Sequence, residues 1–151
     1  MVDLSNMLIK INNYLAIQDY REFLSTRETA EYRPDVLLMV AKEQTVEPVD
    51  GITTLKYPIA DGNIISFMAK IEDVMKQFDT ASKSDKRLLI CCDGTLSRSM
   101  TIIYYYMITV KNQVYPQVLS LRFLSMRENP EVSFDALWKI HPVFLGLLSS
   151  L

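Results

Sequence analysis

The sequence predicts an α/β domain in which helices flank a mostly parallel sheet of four or five strands. Three observations lead there. Two short apolar runs, VLLMVA at residues 36–41 and RLLICC at residues 87–92, have the length and β-branched or aliphatic character of strands buried on both faces. Between them, Ile64, Phe67, Met68, Ile71, Val74, Met75 and Phe78 recur at helical spacing. Strand, long helix, strand is a right-handed parallel crossover by default. The last third of the chain then reads as helix, broken by proline.

Taken in order, residues 7–17, MLIKINNYLAI, have the β-branched and aromatic content of one or two edge strands. Residues 19–32 are mostly polar and predict a short helix that stops before Pro34, because the residue preceding a proline is pushed out of helical geometry. A strand over 36–41 follows, then a polar loop over 43–51 carrying Pro48 and Gly51, then a strand over 52–59. Residues 60–63 form a turn, and Asn63 is placed to cap the amphipathic helix. Residues 80–86, TASKSDK, read as a polar loop before the strand at 87–92. Beyond a tight turn at 93–97, residues 100–110 are apolar nearly all round, as befits a helix in the middle of a core. Its tyrosines, Tyr104, Tyr105 and Tyr106, belong to the core and rim of that helix. Residues 116–128 and 134–148 predict two further helices separated by Pro130, with Pro116 at an early helical position and Trp138 anchoring the last one. The crossover helix is expected on one face of the sheet and the C-terminal helices on the other.

The totals fit one domain spanning residues 1–151. A net charge of −2 offers no general attraction for nucleic acid or an anionic membrane. No apolar run approaches the roughly 20 residues that a membrane span needs, and the first residues lack the pattern of a secretory signal. The two cysteines, Cys91 and Cys92, are adjacent, an arrangement that disfavours an unstrained disulfide and suits a reducing, cytoplasmic or nuclear setting. With one histidine and no clustered carboxylates, no metal site and no cofactor are expected. Cys91 reads as a small buried apolar side chain, with a thiol that modulates oxidation of Cys92 as the alternative, and His141, beside Pro142, reads as structural.

Chemistry concentrates at residues 92–99, CDGTLSRS. A cysteine ends a strand, and an arginine opens a helix six positions later. Backbone N–H groups at a helix start have no partner within the helix and attract anions. Arg98 can hold two oxygens of a phosphate through its planar fork. The same positive potential is expected to lower the pKa of Cys92. Gly94 eases the tight turn, and Ser97 and Ser99 can donate to the loop or to the sulfur.

This stretch resembles the phosphate loop of the cysteine-dependent protein phosphatases. Its SRS ending and the apolar helix after it are most similar to the compact dual-specificity branch. The segment YPIAD at residues 57–61 is similar to the one that carries that family's general acid, and it lies 92 − 61 = 31 residues ahead of the cysteine. Arg127, Pro130 and Phe134 resemble a structural remnant of the family pattern. The resemblance implies a protein-tyrosine-phosphatase-like fold and a two-step reaction. Cys92 would attack phosphorus, Asp61 would serve as general acid and then base, and Ser99 would stabilise the departing thiolate. Asp93, Gly94, Thr95, Leu96, Ser97 and Arg98 would line the phosphate. Two positions depart from the family pattern. Cys91 stands where the family usually has histidine, and Thr95 where it has glycine, with glycine one place earlier at Gly94.

The expected function is hydrolysis of phosphotyrosine, and of phosphoserine or phosphothreonine if the pocket is shallow. The partner is a phosphorylated protein, with oligomeric state left open. The alternative is a phosphatase-like module that binds phosphate and turns over poorly.

Overall fold

The computed structural model describes residues 8–93, 96–112 and 140–151. Five strands form one sheet: β1 (Ile9–Asn12), β2 (Leu15–Asp19), β3 (Val36–Ala41), β4 (Thr53–Ile59) and β5 (Leu88–Cys92). Their spatial order is β1-β2-β5-β3-β4. β1 is antiparallel to β2, and every other pairing is parallel. The mostly parallel sheet is therefore as expected. The N-terminal segment yields an edge strand and an interior one, because β2 pairs with β5 along its whole length, from Leu15 opposite Leu88 to Asp19 opposite Cys92.

Among the described residues, four helices accompany the sheet: α1 (Tyr20–Thr26), α2 (Ile64–Ser84), α3 (Ser97–Thr109) and α4 (Pro142–Ser150). α1 is shorter than its sequence suggests. The Ser25 and Thr26 hydroxyls both donate to the Glu22 carbonyl, a local alternative that competes with further helix. α2 is longer, since the TASK tract continues the helix instead of forming a loop. Ala81 is buried there, Lys83 pairs with Asp79 at 3.0 Å, and Asp85 ends the helix at φ 58°. At its start, the Asn63 side chain accepts from the Ser66 N–H at 2.9 Å, as expected of a cap.

The expected helix over 134–148 does not run through residues 140–141. Proline lacks an N–H and forces its predecessor into extended geometry, so His141 sits at ψ 135° and α4 starts at Pro142. Residues 134–139, with Phe134 and Trp138, lie outside the described residues, as do the helix expected over 116–128, Arg127 and Pro130.

The expected sidedness is wrong. Phe67 of α2 packs against Tyr105 of α3 and Phe144 of α4, with centroids 5.6 and 5.4 Å away, and Phe78 of α2 meets Tyr106 of α3 at 5.0 Å. α2, α3 and α4 therefore share one face. The β2-to-β3 crossover through α1 runs the opposite way along the sheet from the β4-to-β5 crossover through α2. Right-handed connections then put α1 on the other face. Both faces are covered, which is why all six residues of β3 and all five of β5 are buried.

Candidate active site

Parallel strands deliver their carboxyl ends to one edge of the sheet, and loops leaving that edge collect functional side chains. β3 leads to Glu43, β4 to Asp61, and β5 ends on Cys92 and leads to Asp93. α3 returns Ser97, Arg98 and Ser99 to the same edge. A separate cavity of about 620 Å³, lined by Arg27, Arg33, Pro34, Asp50 and Ile52 among others, opens at the amino ends of β3 and β4 and contains neither cysteine.

α3 begins without a side-chain cap. Its preceding residue, Leu96, holds the left-handed conformation at φ 58°, ψ 17° while fully buried. Such a backbone costs a branched side chain on the order of 1 kcal/mol. Leu96 donates its N–H to the Asp93 carbonyl at 3.0 Å, closing the turn, and its own carbonyl receives the Met100 N–H. In the sequence, Thr95 is the loop position that departs from the family's glycine. Thr95 and Gly94 lie outside the described residues, and the positive φ among the described loop residues falls on Leu96.

Cys92 is fully buried. The Ser99 hydroxyl donates to its sulfur at 3.0 Å, and the thiol faces the Asp93 carbonyl at 3.5 Å. Burial dominates its titration and pushes the thiol up to about 12; the Ser99 contacts and Arg98 pull the other way without prevailing, and Asp93 adds to the rise. The expectation of a lowered pKa is therefore reversed in this closed arrangement. The reason is visible at Arg98, whose charge is already engaged. Cys91 is equally buried, with its thiol pushed up by burial. Successive strand residues face opposite sides of a sheet, so Cys91 points away from Cys92 and its apolar reading stands.

Arg98 is 1% exposed. Nη1 donates to Glu43 Oε2 at 2.8 Å and to the Ile59 carbonyl at 2.9 Å. Nη2 donates to Glu43 Oε1 at 2.5 Å and to Asp93 Oδ2 at 2.8 Å. Four of the five guanidinium N–H groups are thereby used, and Nε, also buried, has no partner. Glu43 grips the end of the fork bidentately, and this bond holds its carboxyl down at about 2. Sequence reasoning missed Glu43. The one available signal was a carboxylate two residues past the end of a buried parallel strand.

Ser97 connects three segments. Its hydroxyl donates to Asp61 Oδ1 at 2.9 Å and accepts the His141 N–H at 2.9 Å. His141 also caps α4, with Nδ1 accepting the Val143 N–H at 3.1 Å. Its imidazole lies against Gly62, where an added Cβ would come within 2.4 Å of the ring. His141 is structural, as expected, but what it supports is the loop that carries Asp61. Cys92, Arg98, Ser99, Asp93, Ser97 and Asp61 are thus brought to one edge. The buried Leu96 shapes the turn, and no contact places its side chain at a ligand. Among the described residues, no group of three or more His, Cys, Asp or Glu side chains is placed to hold a metal ion. None of their helices is long and apolar enough to cross a membrane.

This fold and this loop define a compact dual-specificity-phosphatase-like protein. Solved structures agree at the level of fold. The chain superposes on human DUSP28 with a TM-score of 0.71 and 15% identity, covering 95% of this chain and 90% of that one. For DUSP15 the values are 0.71 and 16%, with 96% and 86% covered. A mouse dual-specificity phosphatase complexed with zinc tungstate gives 0.70 and 14%, with 95% and 84% covered. No curated protein sequence matches. The cyclin-dependent kinase inhibitor 3 (CDKN3) family model matches residues 8–119, and the chain belongs to that family.

Proposed function

We propose that the chain, as one catalytic domain over residues 1–151, is a protein phosphatase that hydrolyses phosphotyrosine through a phosphocysteine intermediate and also admits phosphoserine and phosphothreonine. The observation that carries this is the buried Arg98, with one unpartnered N–H, on the loop whose cysteine receives a hydroxyl hydrogen bond from Ser99. A buried N–H without a partner costs about 1–3 kcal/mol, and a phosphate oxygen would satisfy it. Zinc tungstate in the mouse relative provides a tetrahedral oxyanion of the same kind.

In the reaction, Cys92 gives up its proton to solvent water and its thiolate attacks phosphorus. The phosphorus–oxygen bond to the substrate breaks as Asp61 delivers a proton to the leaving oxygen. Asp61, now a carboxylate, takes a proton from water, which attacks the phosphocysteine. Inorganic phosphate departs and Ser99 donates to the returning thiolate. Arg98 and the amides of the loop neutralise the equatorial oxygens. The family resemblance assigns Gly94 and Thr95 to the phosphate loop, and both lie outside the described residues. Ile65 and Met68, 83% and 46% exposed on the first turns of the helix that follows the Asp61 turn, offer apolar surface for an aryl side chain. The substrate is a phosphorylated protein, and reduced adjacent cysteines suit a cytoplasmic or nuclear setting.

A second reading, a phosphate-binding module of low turnover, is favoured by the protonated Cys92 and by the two carboxylates on Arg98. Hydrolysis of p-nitrophenyl phosphate by wild type, Cys92→Ser and Asp61→Asn separates the two. Turnover that disappears in Cys92→Ser and falls in Asp61→Asn supports the enzyme. No wild-type turnover with retained phosphopeptide binding supports the module, and full activity in Cys92→Ser refutes the nucleophile.

A further inference from the structure

The side edge of a guanidinium, Nε with the neighbouring Nη hydrogen, is a two-point site for an oxyanion. In Arg98 this edge is half used. Glu43 takes the end-on edge through Nη1 and Nη2, Ile59 takes the second Nη1 hydrogen, and Asp93 takes the remaining Nη2 hydrogen at 2.8 Å. Only Nε is unpartnered. A phosphate cannot bind the side edge with two oxygens while Asp93 remains there.

We propose that Asp93 is a resident anionic ligand of Arg98, and that a substrate phosphate binds by exchanging with it. This rests on the phosphatase reading of the same loop. The two carboxylates on Arg98 differ in the way exchange requires. Glu43 makes two bonds along one edge and stays when the side edge changes hands. Asp93 meets the guanidinium through one bond at 2.8 Å, follows Cys92 directly in sequence, and is 44% exposed, so its carboxylate can turn to water when displaced. Arg98, at 1% exposure, cannot itself turn to water, so an acceptor of some kind must stay on its side edge. Asp93 supplies that acceptor between turnovers. No covalent step is involved, and the side edge keeps an anionic partner at Nη2 throughout while Glu43 holds the end-on edge. The consequence is an affinity threshold. Each phosphate must repay the Asp93–Arg98 bond before it gains Nε.

The test is calorimetric titration of the full chain with tungstate at neutral pH, comparing wild type, Asp93→Asn and Asp93→Ser, with folding checked by circular dichroism. Asp93→Asn keeps an acceptor oxygen without the charge, and Asp93→Ser removes the reach to Nη2, so one folded variant suffices. Exchange predicts tighter binding in the variants, by about tenfold for loss of a half-exposed charge-assisted bond. Equal affinity in all three proteins, or weaker binding in the variants, overturns the exchange while leaving the phosphate site intact. Absence of tungstate binding from all three overturns the exchange and the phosphatase reading together.

Discussion

Cys92 carries the sharpest conflict between burial and chemistry. A buried thiol pushed up to about 12 stays almost wholly protonated at neutral pH. Alkylation of Cys92 by iodoacetamide, located by mass spectrometry, is therefore expected to stay slow through neutral pH and to rise only above about pH 10. Ser99→Ala removes a bond that favours the thiolate and should shift this profile further up. It should also slow phosphocysteine breakdown, seen as a larger burst relative to steady turnover. Glu43 gives a prediction of the opposite sign. Its carboxyl titrates at about 2, below the usual value of about 4.3. A depressed carboxylate contributes stability that is present above its unfolded value and lost as pH falls through the folded one. Glu43→Gln should lower the melting temperature at pH 7, and its gap to wild type should close between about pH 4.5 and pH 2. Cys92, Arg98, Ser99 and Asp61 were legible because spacing and a strand-turn-helix frame single them out. Glu43 was not, since nothing local marks a glutamate in a polar loop whose partner is 55 residues away.

Among the elements, the turn that starts α2 has the least room for change. Gly62 adopts φ +74°, and a Cβ there would collide with the His141 ring. Gly62→Ala should cost about 1–3 kcal/mol in denaturant unfolding. It should also lower kcat for substrates with poor leaving groups more than for p-nitrophenyl phosphate, because the loop carrying Asp61 moves. Loss of stability with an unchanged leaving-group dependence would show that the loop tolerates the shift. Element types were readable from period and length. Their ends were less so, since they depend on single contacts. Buried Ala81 and the Lys83–Asp79 pair extend α2 beyond its apolar stripe, and hydroxyl back-bonding shortens α1.

For the molecule as a whole, the five-stranded sheet was legible and the placement of helices around it was not. Periodicity says which stripe of a helix is buried, not which face of the sheet buries it. Phe67 settles that point by joining α2, α3 and α4 through one side chain. Phe67→Ala should lose about 3–5 kcal/mol in chemical denaturation, at the upper end for a core truncation because three helices meet there. A loss below about 1 kcal/mol would contradict that shared packing. The Ser97–His141 bond, spanning 44 residues, has a consequence for the order of assembly. On a ribosome, the sheet and the cysteine loop are available to fold while the segment that steadies Asp61 has yet to emerge. The frame of Cys92 is complete in sequence before the support of Asp61. On the proposed reading, a nascent chain in this interval would have its cysteine loop before the segment that completes the site.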